Sequence, residues 1–440
     1  MINAQKLRWK KENNKATFKQ KQKKEMMDVI KIATAGSVDD GKSTLIGRLL
    51  YDTQSLTTDK LEAIEKSSKQ KGYDYLDFSL ATDGLVAERE QGITIDVAHI
   101  YFSTAKKSYI IADSPGHVEY TRNMVTGAST SQVSIILIDA RKGVIEQTYR
   151  HFFINNLLRI KEVIVAINKM DLVDYSEEVF NKIRSDFQAL NAKSTFKEQT
   201  VNYIPLSAIN GGNIVAKSEN MPWYEGPSIL DYLENLKAAD VFEKGQFRFP
   251  IQTVIRPKTS EYHDFRGYAG KIYGDDISVG DKVCVLPSLN ESRITKIHFF
   301  DQEYESAEAG SSISIELADD INVTRGDMIV KATELPKIDK EIHAIVCWMD
   351  NKKLVIGAKY MLQHHSNRVL GKVENILNTI ATDYSGSSPA SELALNEIGE
   401  VVIKLSKAIY FDKYEEHKSN GSFILIDVAT NTTAAVGFIQ

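Results

Sequence analysis

The chain has 440 residues, of which 42% are hydrophobic and 26% are charged, a balance typical of soluble globular proteins. At ~150 residues per domain, this length predicts about three domains. The formal net charge of −5 argues against a general basic surface for nucleic acid. No apolar run approaches the ~20 residues of a membrane span, so neither nucleic acid nor membrane is an expected partner. The two cysteines are far apart, and we expect buried thiols in a reducing cytoplasm.

The first 27 residues differ in composition from the rest of the chain. They hold nine Lys or Arg residues against two acidic ones, without the apolar stretch of a signal peptide. We expect residues 1–27 to form a solvated, disordered tail, with a nucleic-acid-binding arm as the alternative.

Short β-prone runs alternate with longer helical patterns over residues 28–240. This alternation predicts an α/β domain with a mostly parallel sheet covered by helices on both faces. Ligands of such sheets bind at the carboxyl ends of the strands. The predicted strands are 29–35, 97–103, 108–112, 133–139, 162–168 and 202–206. The predicted helices are 42–51, 59–71, 119–129, 148–158, 176–190 and 228–236.

A phosphate-binding motif lies between the first predicted strand and the first predicted helix. It fits the pattern G-x-x-x-x-G-K-[ST] at every fixed position. Its glycines let the backbone wrap closely around a phosphate, and the N–H groups at the helix start face the anion. Its lysine is expected to contact the β- and γ-phosphates, and its last serine to ligate Mg²⁺. The residues expected at the nucleotide are Gly36, Ser37, Val38, Asp39, Asp40, Gly41, Lys42, Ser43 and Thr44.

A second motif follows the third predicted strand and reads Asp113-Ser114-Pro115-Gly116-His117. A carboxylate at the end of a strand beside the phosphate loop can hold Mg²⁺, usually through water, which is the role expected of Asp113. Gly116 lets a backbone N–H approach the γ-phosphate. His117 is positioned to polarise or orient the attacking water, so the motif predicts hydrolysis.

A threonine between these two motifs is a candidate sensor of the γ-phosphate. Thr94 lies in the run Gln-Gly-Ile-Thr-Ile of residues 91–95. A hydroxyl on a mobile loop can ligate Mg²⁺ while the N–H of the same residue contacts the γ-phosphate. Threonine in a β-prone run is ordinarily a strand residue, and it is the position of Thr94 between the motifs that favours the functional role.

The base-binding motif ends the apolar strand 162–168 and comprises Asn168, Lys169, Met170 and Asp171. The Asp171 carboxylate can accept hydrogen bonds from both N1–H and the 2-amino group of guanine. Adenine lacks those donors and would leave the carboxylate unpaired, which is costly. Asn168 can bond the other edge of the base and the Lys169 stem can lie over its plane, so GTP is the expected nucleotide.

A fourth motif, Ser207-Ala208-Ile209, follows the last predicted strand. Small residues at this point let backbone N–H groups reach the O6 atom of guanine. The motif carries little information without the other three.

The second half of the chain has a different pattern, with short β-rich runs separated by Gly, Pro and Asp turns. Evenly spaced strands without long helices predict two small antiparallel β-barrels, over residues 245–335 and 336–440. We find no nucleophile–His–Asp set, metal cluster or second phosphate loop in this half of the sequence. The predicted strands are 249–256, 268–273, 282–286, 292–298, 311–317, 341–349, 354–363, 368–376, 399–405 and 421–427.

With these motifs in place, residues 28–440 resemble the translation-factor GTPases of the elongation factor Tu type. More narrowly, the chain is similar to the large, GTPase subunit of sulfate adenylyltransferase. Ser37 stands after the first loop glycine, where elongation factors usually carry histidine. The segments that carry the narrower resemblance are 36–50, 82–98, 120–129, 138–144, 265–270, 421–427 and 430–433.

The resemblance implies a heteromeric enzyme with GTP and Mg²⁺ as ligands of this chain. A separate small, ATP-binding subunit would make adenylyl sulfate and pyrophosphate from ATP and sulfate, while this chain hydrolyses GTP to drive that step. By analogy with the family, Val38 and Ile93 gate the access of His117 to water, and Lys42, Thr94 and His117 are the catalytic residues. No adenylyl-sulfate kinase activity is expected, because no second phosphate loop occurs.

An elongation-factor-like GTPase that carries aminoacyl-tRNA is the alternative function. Binding of tRNA favours basic stripes on the barrels and the GTPase domain, whereas the basic excess of this chain lies in residues 1–27.

Overall fold

The computed structural model describes residues 29–70, 76–78, 98–114, 121–236, 245–257, 265–300 and 302–440. These residues form two compact units. The first contains the described residues from 29 to 236 together with Thr382–Ser385, and the second contains those from 245 to 381 and Gly386–Gln440. Within the described ranges, no helix has both the length and the apolar character needed to cross a membrane.

The first unit is built around a six-stranded sheet in the order β2-β3-β1-β4-β5-β6. Its first two neighbours, β2 and β3, are antiparallel, and all other neighbouring pairs are parallel. The prediction of a mostly parallel α/β domain is therefore confirmed. The strands are β1 (Val29–Ala35), β2 (Ala98–Ser103), β3 (Ser108–Asp113), β4 (Val133–Asp139), β5 (Glu162–Asn168) and β6 (Thr200–Pro205).

The two central strands β4 and β5 are buried along their whole length, as expected for apolar runs with no face open to water.

Helices alternate with most of these strands along the chain. The predicted helices 59–71 and 119–129 extend in part beyond the described residues. The helices are α1 (Lys42–Asp52), α2 (Thr58–Gln70), α3 (Thr121–Ala128), α4 (Glu146–Leu157), α5 (Glu177–Ala192) and α6 (Ile229–Asn235).

The parallel register brings the ends of four strands, and with them the polar motifs, to one edge of the sheet. Thr34 near the end of β1 is paired with Asp113 at the end of β3. Asp139 at the end of β4 is paired with Asn168 at the end of β5. Residues that are far apart in the sequence therefore meet where ligands bind to sheets of this type.

The second unit contains two closed β-sheets, which confirms the prediction of two antiparallel barrels. The first sheet has the order β10-β15-β7-β8-β14-β11-β12 and is closed by pairing of β10 with β11. The second has the order β18-β23-β24-β16-β22-β19-β20 and is closed by pairing of β18 with β19. Closure leaves few unpaired strand edges. The longer strands are β7 (Arg248–Ile255), β8 (Gly267–Lys271), β10 (Lys282–Leu286), β11 (Asn290–Phe299), β14 (Ser312–Leu317), β15 (Met328–Lys331), β16 (Lys337–Trp348), β18 (Lys359–His364), β19 (Asn367–Ile380), β22 (Ile398–Phe411), β23 (Ser422–Ile426) and β24 (Thr433–Ile439). The short strands are β9 (Ile277–Ser278), β12 (Gln302–Tyr304), β13 (Ser306–Ala307), β17 (Leu354–Val355), β20 (Ser387–Pro389) and β21 (Glu392–Leu393).

The barrels differ from the sequence prediction in several strands: in addition to the two cases below, the predicted set lacks β15 and the short strands β9, β12, β13, β20 and β21. The predicted strand 354–363 is interrupted, because Gly357 turns the chain with a φ of 86° between β17 and β18. Strand β24 was not predicted, since it contains alanine and glycine, which have low β propensity. Tertiary packing explains its formation: the Phe423 ring lies so close to Gly437 that a Cβ there would be 2.2 Å from it.

A buried ion pair joins the two barrels within the second unit. The Arg248 guanidinium, which is fully buried on β7, donates hydrogen bonds of 2.7 and 2.8 Å to the two carboxylate oxygens of Asp412. The Asn420 amide donates to the same carboxylate at 2.7 Å. The Tyr410 hydroxyl donates to the carbonyl of Gly326 at 2.6 Å, which adds a second link between the barrels.

Histidines surround this ion pair. The Nε2 atom of His364 lies 2.9 Å from the carbonyl oxygen of Asn420, and that of His365 lies 3.2 Å from its side-chain oxygen. The Nδ1 atom of His417 accepts a hydrogen bond of 3.2 Å from the Asn420 N–H. Burial lowers the pKa of His364, and it lowers the pKa of His365 to about 3. Both rings are therefore neutral at physiological pH.

We predict that Arg248→Met destabilises the second unit by about 3–5 kcal/mol, because it leaves the Asp412 carboxylate without its cation. Adding Asp412→Asn should recover part of that loss, since it removes the unpaired charge and keeps an acceptor for Asn420. Hydrogen exchange of β7 and β22 amides over a urea series measures the free energy of opening.

The exposed pair of Lys353 and Glu392, 2.5 Å apart, supplies the control. Lys353→Met should cost less than about 1 kcal/mol. Equal losses in the Arg248 and Lys353 variants would contradict a structural role for the buried pair.

Candidate functional site

The phosphate loop is held in shape by its own residues. The N–H of Ser37 donates to the Asp40 carboxylate at 2.6 Å, and the N–H of Asp40 donates back to the Ser37 carbonyl at 3.2 Å. Gly41 is the N-cap residue of α1, and its backbone has a left-handed conformation with a φ of 94°. A Cβ on Gly41 would lie 2.4 Å from the Nδ2 atom of Asn168, so both conformation and space require glycine.

Lys42 is buried inside this loop, with 8% of its surface exposed. Its ammonium group donates to the carbonyl of Gly36 at 2.8 Å. Burial lowers the pKa of Lys42, while the carboxylates of Asp113, Asp40 and Asp39 act in the opposite direction. Three carboxylates thus act on the ammonium group, at the position where the motif predicts that the phosphates bind.

The third-strand motif begins beside the loop. The buried Asp113 carboxylate accepts a hydrogen bond of 2.9 Å from the Thr34 hydroxyl. The neighbouring Ser114 hydroxyl is also buried and has no hydrogen-bond partner among the described residues. Ser43 and Thr44 lie in the first turn of α1. The candidates Thr94, Pro115, Gly116 and His117 lie outside the described residues.

The carboxamide of Asn168 connects three loops. Its Nδ2 atom donates to the carbonyl of Asp40 in the phosphate loop at 2.8 Å, and its Oδ1 atom accepts from the N–H of Ala208 at 3.0 Å. The side chain is almost fully buried, with 1% of its surface exposed. Asn168 therefore fixes the phosphate loop relative to both base-binding segments.

The rest of the base-binding motif forms a tight turn. Lys169 has left-handed backbone geometry, with a φ of 64°, and it precedes the 3-10 turn Met170–Val173. Met170 is fully buried and anchors that turn in the core, whereas Asp171 is only half-buried. The Lys169 ammonium donates to the carbonyl of Asp39, which spans the distance from this turn to the phosphate loop.

The segment after β6 is placed at the site, but its N–H groups are engaged within the protein. The N–H of Ser207 donates to the carbonyl of Gly212 at 3.2 Å, and that of Ala208 donates to Asn168. Ile209 follows with 42% of its surface exposed. Binding of guanine O6 by Ser207 or Ala208 would require the base to share or replace one of these bonds.

The sequence motifs assigned no role to three residues at the end of β4 and in the turn after it. The buried Asp139 carboxylate contacts the Nη2 atom of Arg141 at 2.7 Å and the Nζ atom of Lys169 at 3.0 Å. The ammonium of Lys142 lies 3.7 Å from the Asp40 carboxylate, whose pKa is raised by burial. The sequence does show a carboxylate at a strand end followed by two basic residues, but it does not show which groups these side chains contact.

The residues present fit a magnesium ion bound together with a triphosphate. Three carboxylates act on the single Lys42 ammonium, so uptake of a polyanionic phosphate chain favours an additional cation. The hydroxyl of Ser43 and the carboxylate of Asp113 are hard oxygen ligands of the type that Mg²⁺ prefers, with phosphates and water completing the shell.

Two protein-family models match this chain. The family model described as elongation factor Tu GTP binding domain matches residues 27–240. The model described as GTP-eEF1A C-terminal domain-like matches residues 341–440. The first match identifies residues 27–240 as a GTP-binding domain of the elongation factor Tu type.

Full-length relatives give a narrower relationship. A protein of Bacteroides fragilis named sulfate adenylyltransferase subunit 1 is 47% identical over 95% of this chain and 87% of its own length. A protein of the same name from Aeromonas salmonicida is 46% identical over 93% of this chain and 86% of its own. The bifunctional enzyme CysN/CysC of Mycobacterium tuberculosis is 46% identical over 94% of this chain and 67% of its own.

A solved structure of Sup35 complexed with GMPPNP covers 94% of both chains at 22% identity, with a TM-score of 0.43. The relationship to subunit 1 rests instead on the identities above, which extend through the GTPase domain and both barrels. The chain belongs to the family of sulfate adenylyltransferase subunit 1, the GTPase subunit of that enzyme, within the elongation-factor-Tu-like GTPases.

Proposed function

We propose that this chain hydrolyses GTP to drive the formation of adenylyl sulfate and pyrophosphate from ATP and sulfate on a partner small subunit. This is the first step of sulfate assimilation, and we place it in the cytoplasm. The observation that carries the proposal is the 47% identity to a sulfate adenylyltransferase subunit 1 over 95% of the chain. That relative is named subunit 1, which implies a second subunit. An ATP-binding nucleotidyltransferase is the natural candidate for that subunit.

The phosphate loop supplies positioning and charge, which are the main requirements of phosphoryl transfer. Lys42 neutralises charge on the β- and γ-phosphates, and the loop N–H groups bind phosphate oxygens. Ser43, Thr94 and Asp113 would hold Mg²⁺, the first two directly and Asp113 through water. When bound, the ion stabilises the negative charge that develops between the β- and γ-phosphates.

His117 would orient the attacking water, and Thr94 would report the presence of the γ-phosphate. In GTPase switches generally, residues at the γ-phosphate respond to the state of the nucleotide, and by this analogy Thr94 and His117 would give the partner subunit a signal to read. Val38, half-buried in the phosphate loop, and Ile93 would restrict the access of His117 to the water until the partner binds.

Guanine selectivity would depend on Asp171. We predict that Asp171→Asn shifts the preference from guanine to xanthine nucleotides by at least about tenfold, because the amide donates to the oxygen at position 2 of xanthine. Competition between GDP and XDP for binding measures the ratio. Asp174→Asn is the matched control, being the same substitution at an exposed position three residues further along. Unchanged selectivity in the Asp171 variant would refute its assigned role.

Hydrolysis should depend on His117 more than nucleotide binding does. We predict that His117→Ala lowers the rate of GTP hydrolysis by about 10²-fold while the affinity for GTP stays near that of the wild type. Single-turnover hydrolysis and equilibrium binding separate the two effects. Normal hydrolysis in this variant would make His117 a structural residue.

The division of labour between two chains is tested by reconstitution. Pyrophosphate release from ATP and sulfate should require both this chain and a small nucleotidyltransferase subunit, and GTP should stimulate it. A non-hydrolysable GTP analogue and the variant Lys42→Ala should each abolish the stimulation. Adenylyl sulfate synthesis by this chain alone would contradict the proposal, and so would GTP-dependent protection of aminoacyl-tRNA without any effect on a nucleotidyltransferase.

A further inference from the structure

A buried carboxylate behind the base-binding turn organises two cations. Asp139 ends β4 with 1% of its surface exposed. Its carboxylate accepts hydrogen bonds of 3.0 Å from the backbone N–H and from the Nε atom of Arg141, and one of 2.7 Å from Nη2. The Lys169 ammonium is 3.0 Å from the same carboxylate. A buried carboxylate is stable only with partners of this kind.

Lys169 is fixed at its backbone and at its charged end. The backbone has a φ of 64°, a conformation that residues other than glycine rarely adopt. The ammonium is shared between the carboxylate of Asp139 and the carbonyl of Asp39. Because both ends are fixed, the aliphatic stem between them follows a defined path from the base-binding turn to the phosphate loop.

Arg141 is hydrogen-bonded to Asp139 and also interacts electrostatically with Asp171. Its pKa is raised by its hydrogen bonds to Asp139, and Asp171 acts on it in the same direction. Asp139 holds the guanidinium by both Nε and Nη2, in the geometry that Arg favours with carboxylates. Without Asp139, the guanidinium would lose these hydrogen bonds, whereas the electrostatic attraction of Asp171 would remain.

We propose that Asp139 is a positioning residue for guanine recognition, which acts through Lys169 and Arg141. It holds the Lys169 stem where it can cover the plane of the base, and it keeps the Arg141 guanidinium away from the Asp171 carboxylate. This inference rests on the proposed contact of Asp171 with the 2-amino group. It gives a role to a buried carboxylate at the end of β4, beside the base-binding turn.

The variant Asp139→Asn tests both parts. Its affinities for GDP and GTP should fall together by about tenfold, because the Lys169 stem contacts the base that both nucleotides share. The preference for GDP over IDP, which lacks the 2-amino group, should fall as well, because Arg141 is free to pair with Asp171. The rate of hydrolysis at saturating GTP should stay within about twofold of wild type, since Asp139 acts at the base.

Two further variants separate the contributions. In Asp139→Asn combined with Arg141→Ala, the preference for GDP over IDP should return while the affinity for both stays low. Lys169→Met keeps an apolar stem but loses the ammonium, and combining it with Asp139→Asn should cost no more than either change alone. The exposed pair of Lys161 and Glu198, 3.7 Å apart at the amino end of β5, gives the control Glu198→Gln, which should bind both nucleotides normally.

Wild-type affinity and selectivity in Asp139→Asn would overturn the inference. So would equal losses for GDP and IDP that Arg141→Ala does not change, together with a lowered melting temperature, since that pattern describes a damaged fold. If the wild-type chain itself shows no preference for guanine nucleotides, the proposed function fails as well. If it shows the preference and the Asp139 variant retains it, only this inference fails.

Discussion

The nucleotide site depends on one carboxamide. Asn168 holds the phosphate loop by the carbonyl of Asp40 and the last strand's loop by the N–H of Ala208, so segments that are about 130 and 40 residues away in the sequence share one side chain. The close approach of Asn168 also explains why Gly41 must lack a Cβ. The phosphate loop and the base-binding segments are therefore held together by one buried side chain.

Charge is balanced across the same site. Three carboxylates act on Lys42 in the phosphate loop. The Lys142 ammonium lies near the Asp40 carboxylate. Beside the base-binding turn, the Asp139 carboxylate contacts two cations. Carboxylates in a phosphate-binding site are unfavourable unless cations accompany the ligand, and magnesium is the cation that a triphosphate brings with it. The arrangement suits a ligand that arrives as a metal complex better than one that arrives as a bare anion.

The sequence was most informative where local chemistry determines structure. The glycine pattern around Lys42 and the apolar runs of β4 and β5 correctly predicted the strand–loop–helix unit and the buried centre of the sheet. The sequence was less informative where tertiary contacts determine the structure. Strand β24 forms against β16 and β23 in spite of its alanines and glycine. The partners of Asp139 come from the turn after β4 and from the turn after β5, and their meeting depends on a register that periodicity does not reveal. The assigned roles of Thr94 and His117 remain predictions.

The histidines at the junction of the barrels make the second unit sensitive to acid. An unfolded histidine has a pKa of about 6.5, whereas His365 in the folded unit has a pKa of about 3, and that of His364 is also lowered. Between these values the unfolded chain takes up protons that the folded unit does not, so this contribution to stability is complete above pH ~6.5 and declines as the pH falls. Acid would therefore weaken the contacts around Asn420, the residue that meets both histidines and also donates to the Asp412 carboxylate of the buried ion pair.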